Sequence, residues 1–281
     1  MTATLVTDDG VTLRYRDSGG PGPVFLLSSG VGQSLEFWDR QVEALAGEAR
    51  LIAWDYPSHG LSSVDPAPLT VERLARLALE LLDRLGVSSA ILVGNSLGGA
   101  VSLKVQSMAP ARVRGLVLAA PAFTGPKVFA AFKLFALPVV GRLLTKPSDK
   151  GVEMQVAGVF HPGHRPDDAL LAVIRRNVFK PGAQEPFLTF MRSTLSLAGV
   201  RRPVFAEMHR LYRACACPIL FVHGRQDKII PFEQSQACAD LAPDARVMIF
   251  EDCGHAPQLE RPEKFNALLR DFAAGLADAG Q

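Results

Sequence analysis

The feature that most constrains this chain is a repeated contrast along its length. Short, almost wholly apolar runs at Val24–Ser28, Leu51–Asp55, Ala90–Gly94, Arg114–Ala119, Ile219–His223 and Arg246–Phe250 alternate with longer segments of helical period. A strand with one wet face alternates apolar and polar residues, so strands without alternation must be covered on both faces. The helical segments are Ser34–Leu45, Val71–Leu85, Leu97–Met108, Glu233–Leu241 and Pro262–Ala274. The second is the clearest, with Leu74, Leu77, Ala78, Leu81, Leu82 and Leu85 on one stripe and Gly86 as its stop. Strands alternating with helices require crossover connections, hence an α/β fold with a mostly parallel sheet. Two further strands, Thr4–Val6 and Val11–Asp17, flank the turn Asp8-Asp9-Gly10 and predict an antiparallel start to that sheet.

The alternation stops between about residues 122 and 213. That stretch offers no good strand, only helical pieces separated by prolines at 126, 138, 147, 162, 166, 181, 186 and 203. It reads as a helical cap inserted between two parts of one core, residues 1–121 and 214–281. At 281 residues and 48% hydrophobic the chain can bury a full core. Its net charge of +2, with both signs interspersed, gives no reason to expect a nucleic-acid partner. The polar, acidic start "MTATLVTDDG" lacks a basic and then apolar stretch and does not read as a secretory leader. No uncharged run reaches the roughly 18 apolar residues of a membrane span; the most apolar stretch, 128–144, is broken by Lys133, Pro138 and Arg142. The cysteines at 215, 217, 238 and 253 lack both the spacing and the histidine neighbours of a metal site, so they read as reduced thiols in a cytoplasmic protein with no bound metal.

Within this frame "LVGNSLGG" (92–99) carries the chemistry. Ser96 follows a strand and opens a helix, fenced by Gly94 and Gly98. G-x-S-x-G in a strand–turn–helix setting is a nucleophile elbow, where a Cβ at either glycine would collide across the sharp turn. A serine hydroxyl needs a base and an acid that orients the base. His255, in "EDCGHAPQLERPEKF", follows the last strand and precedes the last helix. His161, His164 and His209 lie in the insertion, His223 reads as a packed strand-end residue, and His59 as part of a turn at Gly60. Asp227, in "HGRQD", follows another strand end and completes the order Ser, Asp, His. Asp55 precedes the elbow strand, and Asp252 is too near His255 in sequence. Two backbone donors for an oxyanion are expected at Leu97 and at Val31 in the loop "SSGVGQS".

These segments together resemble the α/β-hydrolase superfamily over nearly the whole chain: "LLSSGVG", "DYPSHGLS", "GNSLGG", "HGRQDKIIP" and "GHAPQLERPEKF". The resemblance implies an eight-stranded sheet with a helical cap, Ser96 as nucleophile, Asp227 as acid, His255 as base, and Val31 and Leu97 as oxyanion donors. Serine at the elbow argues against the dehalogenase and epoxide hydrolase branches, which use aspartate there. Where the family usually has His-Gly in the oxyanion loop, this chain has Ser29-Gly30. "GNS" is similar to the C–C bond hydrolases of aromatic degradation and to the enol-lactonases. The C–C hydrolases, however, carry tryptophan after the histidine, and here it is Ala256.

The expectation is therefore a carboxylesterase-like serine hydrolase acting on apolar acyl or aryl esters through an acyl-enzyme, without cofactor. A C–C bond hydrolase or enol-lactonase is the alternative, and a small-molecule receptor on the same fold the second. Asn95, Phe129 and Phe132 are the candidate substrate contacts. The run "KVFAAFKLFALPVVGRLL" is expected to form one broad apolar helix packed on the core, and Lys127, Lys133, Arg142 and Lys146 make no clean basic face for a membrane surface. Arg175-Arg176 and Arg201-Arg202 are candidate carboxylate binders that more commonly face solvent. A homodimer is compatible with all of this.

Overall fold

A computed structural model describes residues 2–278. Eight strands form one sheet: β1 (Thr2–Val6), β2 (Thr12–Asp17), β3 (Val24–Ser28), β4 (Arg50–Trp54), β5 (Ala90–Asn95), β6 (Val113–Ala119), and, after a small hairpin of β7 (Leu195–Ser196) and β8 (Gly199–Val200), β9 (Ile219–Gly224) and β10 (Ala245–Phe250). Their order is β1-β2-β4-β3-β5-β6-β9-β10. The β1–β2 and β2–β4 pairs are antiparallel and every later pair is parallel. The hairpin lies within the segment read as free of strands. Two-residue strands around a Gly199 at φ 121° are too short to leave a periodic signal.

Both faces of the sheet are covered. Along β3, Leu26 belongs to one apolar cluster while Phe25 and Leu27 belong to the other, as the two-residue period of a strand demands. The central strands β5 and β9 are buried at every position, which is why they read as unbroken apolar runs. At the sheet edge β10 alternates instead, with Met248 exposed.

Around the sheet run α1 (Asp39–Leu45), α2 (Val71–Arg84) and α3 (Leu97–Met108), and beyond the cap α10 (Phe232–Ala239), α11 (Pro257–Glu260) and α12 (Pro262–Asp278). The Thr70 side chain caps α2 by accepting from Arg73 N–H, and the leucine stripe of that helix is buried. Between β6 and β9 lie α4 (Ala130–Phe135), α5 (Pro138–Leu144), α6 (Asp149–Val159), α7 (Asp168–Val178), α8 (Gln184–Thr194) and α9 (Arg202–Ala214). The single broad helix expected over 127–144 is thus two short ones. Pro138 has no N–H to continue α4 and instead starts α5, where its fixed φ is favourable.

The strand order turns back on itself at β3 and β5, the arrangement in which the carboxyl ends of an open sheet leave a crevice. The loops after β3, β5 and β9, and the loop from β10 to α11, all leave from that edge.

Candidate active site

Ser96 sits between β5 and α3 at φ 53°, ψ −115°, a conformation that L-residues rarely hold. The flanking glycines allow it by close approach rather than by unusual φ. A Cβ on Gly94 would lie 2.2 Å from the Gly98 carbonyl carbon, and one on Gly98 would lie 2.0 Å from the Ser28 carbonyl oxygen.

Asp227 lies in the turn after β9, its side chain wholly buried. Its Oδ1 accepts from the N–H groups of Ile229 (2.7 Å) and Ile230 (3.0 Å), while Oδ2 accepts from His255 Nδ1 at 2.7 Å. Burial alone would raise this carboxyl, but the charge of His255 and hydrogen bonds from His223 and His255 hold it well below the usual carboxylate range. With Nδ1 donating to the aspartate, a neutral His255 keeps its lone pair on Nε2. Ser96 and His255 line one cavity of about 190 Å³. Among the described residues no hydrogen bond joins them.

The loop after β3 carries Val31 to the same cavity. The Ser29 hydroxyl donates to the Ser34 carbonyl at 3.1 Å, and Gln33 Oε1 accepts from Gly30 N–H at 2.8 Å. These two contacts brace the loop where family members usually place a histidine. Neither the Val31 nor the Leu97 backbone N–H has an acceptor among the described residues, although Leu97 is buried. A buried N–H without an acceptor at the start of a helix is a ready donor to an incoming oxyanion.

Phe129 and Phe132 also line the cavity. Asn95 does not. It is the last residue of β5 and fully buried, and its Nδ2 donates to the carbonyls of Ala119 (3.1 Å) and His255 (3.0 Å). The expectation that Asn95 contacts substrate is therefore corrected: strand alternation turns it away from the cavity, where it ties the His255 loop to the end of β6. The paired arginines do not reach the cavity either. Arg176 binds Glu36 Oε1 at 2.9 Å and Ser34 Oγ at 3.0 Å, Arg175 pairs with Asp149, and Arg201 donates to the Arg192 carbonyl.

Three residues near the site escaped the sequence reading of roles. His223, expected only to pack, is completely buried and brings Nε2 within 2.8 Å of Asp227 Oδ2 and 3.0 Å of the Ile230 carbonyl. A carbonyl only accepts, so Nε2 carries the proton and Nδ1 accepts from Ser235 Oγ at 2.9 Å. Glu260, buried in α11, accepts the N–H groups of Gly254, Ala256 and His161. Burial pushes its carboxyl up against the pull of those donors. Its only sequence cue is an acid five residues beyond His255. His59, expected to serve a turn, lines the cavity as well, with Nδ1 bonded to the Pro57 carbonyl at 2.9 Å, Nε2 unpartnered, and burial disfavouring its charged form.

Residues 24–268 match the Alpha/beta hydrolase family, and the chain belongs to it. It is 30% identical over 267 residues, 95% of this chain and 68% of the other, to the dihydrolipoyllysine-residue acetyltransferase component of the acetoin cleaving system of Cupriavidus necator. It is 29% identical to the 2-hydroxy-6-oxononadienedioate/2-hydroxy-6-oxononatrienedioate hydrolase of Burkholderia vietnamiensis, over 95% of this chain and 93% of that one. In fold it resembles a thermophilic esterase from Thermogutta terrifontis, with a TM-score of 0.79 and 24% identity, covering 98% of this chain and 99% of that one.

Proposed function

We propose that this hydrolase-family chain is a serine esterase that cleaves carboxylic esters of apolar acyl or aryl groups through an acyl-enzyme. Ser96 Oγ attacks the ester carbonyl carbon as His255 Nε2 takes the hydroxyl proton. The carbonyl electron pair moves onto oxygen, which the Val31 and Leu97 N–H groups hold. Collapse expels the alkoxide, protonated by His255. Water then attacks the acyl carbon, giving its proton to His255, and the second collapse returns that proton to Ser96 as the acid leaves. Asp227 stabilises the imidazolium formed in each half. In the resting chain the serine–histidine contact is open, and it closes when substrate fills the cavity.

The observation that carries the reading is the shared cavity. A strained serine, a histidine already bonded to a buried aspartate, and the unspent Val31 N–H meet in it, and the second unspent donor, Leu97 N–H, belongs to the residue directly after the serine. The helical segment 122–213 acts as its cap. Phe129, Phe132, Phe135, Leu144, Met154 and Phe187 supply an apolar lining suited to an acyl chain or ring. The C–C hydrolase alternative is less well supported, because none of the cap arginines proposed to hold a substrate carboxylate lines the cavity, and Arg175 and Arg176 are already paired with Asp149 and Glu36.

The test is turnover of a series of p-nitrophenyl esters of increasing chain length by the wild type and Ser96→Ala. Loss of about 10⁴-fold or more in kcat is expected, since members of such a constellation act as a unit. Activity within tenfold of wild type would overturn the proposal. Tight binding of esters without turnover by the wild type would point instead to a receptor.

A further inference from the structure

The two short cap helices present an unusual outer surface. Of the thirteen large apolar side chains exposed among the described residues, five lie between residues 134 and 144: Leu134, Val139, Val140, Leu143 and Leu144. Val139 and Leu143 are 71% and 70% exposed, one helical turn apart, and Val140 and Leu144 form the adjoining row. The stripe is therefore continuous along α5 and faces water, while Phe132 and Phe135 on the inner side of α4 face the cavity. Leu144, Lys146 and Met154 belong to both surfaces, since each is exposed and lines the cavity.

Charge is concentrated in the same place. Residues 127–150 hold Lys127, Lys133, Arg142, Lys146 and Lys150 against Asp149 alone, a net +4 in a chain whose total is +2, so the remainder carries −2. Arg142 is bridged to Glu185 and Asp149 to Arg175, but Lys127, Lys133, Lys146 and Lys150 have no ion-pair partner among the described residues. Spread along the sequence these cations make no clean face. The break at Pro138 divides the segment into two short helices, and these cations lie on or beside the same two helices that carry the aliphatic row.

We propose that α4 and α5 dock on the surface of an anionic lipid bilayer, with the aliphatic row in the acyl boundary and the unpaired lysines among the headgroups. An exposed aliphatic row in a segment rich in unpaired lysine matches an interface that is apolar below and negative above. A water-filled environment alone gives no reason to expose five such side chains together. In this orientation the cavity mouth at Leu144 and Met154 meets the bilayer. An apolar substrate then passes from lipid to Ser96 without crossing water. Docking itself does not depend on Ser96, so its failure and that of the esterase reading are separable.

The test is co-sedimentation of the purified chain with vesicles of phosphatidylcholine alone and of phosphatidylcholine mixed with phosphatidylglycerol. The wild type is expected to pellet with the anionic vesicles, to do so less as salt rises, and to remain in solution with the neutral ones. Val139→Glu/Leu143→Glu and, separately, Lys133→Glu/Lys150→Glu should lower the partition coefficient about tenfold or more. None of these four residues lines the cavity, so turnover of a water-soluble acetate ester should stay at the wild-type level and report correct folding. Equal binding to both vesicle types, wild-type partitioning by the aliphatic variant, or no vesicle binding would overturn the proposal. So would a wild-type dimer that the aliphatic variant converts to monomer without vesicle binding, which would assign the row to a second copy of the chain.

Discussion

Replacing Glu260 by Gln isolates the contact that holds the His255 loop. In the wild type, Oε1 accepts from Gly254 N–H (3.0 Å) and Ala256 N–H (3.2 Å), while Oε2 accepts from His161 N–H (2.8 Å) and again from Gly254. An amide has one acceptor oxygen. If it takes the Oε1 position, the new NH₂ faces the His161 N–H donor. If it flips, the NH₂ faces Ala256. Either way one buried donor loses its partner, at a cost of about 1–3 kcal/mol, and the surviving bonds lose their charge assistance. A total near 2–3 kcal/mol corresponds to a fall in Tm of about 4–12 °C for a chain of this size. The same loop carries His255 between two of the donors, and His255 N–H itself bonds to the Val159 carbonyl at 2.8 Å. Misplacing a reacting group by about 1 Å can cost ~10²-fold in rate, so kcat/KM should fall by at least about tenfold. Scanning calorimetry and steady-state turnover of a p-nitrophenyl ester read the two effects together. A Glu260→Gln protein with unchanged Tm and kcat/KM within twofold of wild type would refute the argument that this carboxylate positions the loop.

His223→Phe removes one of the four donors to the Asp227 carboxylate and strands the Ser235 hydroxyl and the Ile230 carbonyl. A charge-assisted bond of about 1.5–3 kcal/mol implies a drop in kcat/KM of roughly tenfold or more, and an unchanged value would show that His223 only packs. Gly98→Ala forces a Cβ to within 2.0 Å of the Ser28 carbonyl oxygen unless α3 retreats from β3. Loss of ester turnover is expected, along with destabilisation of about 1–3 kcal/mol or more in urea titration, and wild-type behaviour would contradict the packing. Acid should unfold the chain through its depressed carboxylates. Burial would raise Glu36, but hydrogen bonds from Arg176 and Arg14 hold it well below its ordinary value, as His255 and His223 do for Asp227. Their stabilisation is complete above the unfolded-state values near pH 4 and is lost as pH falls towards the depressed folded values. Arg176→Gln weakens the depression at Glu36, so its midpoint in an acid titration followed by circular dichroism should move to higher pH.

The strands and the three candidate triad residues were legible because each obeys a local rule. β3, β5 and β9 are covered on both faces and leave unbroken apolar runs, and Leu97–Met108 begins and ends where its serine and its proline predict. Contacts between distant segments were not legible. Nothing near Asn95 tells that its amide will meet the carbonyl of His255, 160 residues away. Arg176 looked available for a substrate carboxylate because Glu36, its partner, lies 140 residues earlier. His223 read as packed, but nothing local shows that it packs against the Asp227 carboxylate, and Glu260, the last residue of α11, has no local sign that it will be buried beneath the His255 loop. Both contacts are set by the whole fold.

The elbow shows why local motif and distant packing must be considered together. Holding Ser96 at φ 53° costs on the order of 1–3 kcal/mol and has to be over-determined by its surroundings. The glycines only permit that conformation. What fixes it is the exit of β6. Ser96 N–H donates to the Ala119 carbonyl at 2.9 Å, and Ala122 N–H donates to the Ser96 carbonyl at 2.8 Å. The chain turns sharply there, with Ala120 and Phe123 also at positive φ, and Ala120 N–H bonds to the Val222 carbonyl of β9 at 2.9 Å. Small residues are needed at this exit for the same reason as at the elbow, since Gly99 already approaches Pro121 so closely that a Cβ would lie 2.7 Å from its ring. The segment Ala120-Pro121-Ala122 at the exit of β6 thus has a positive role. It links the serine's strand through β6 to β9, the strand whose following turn carries the aspartate, so that one continuous set of backbone bonds runs from the elbow to the strand that precedes Asp227.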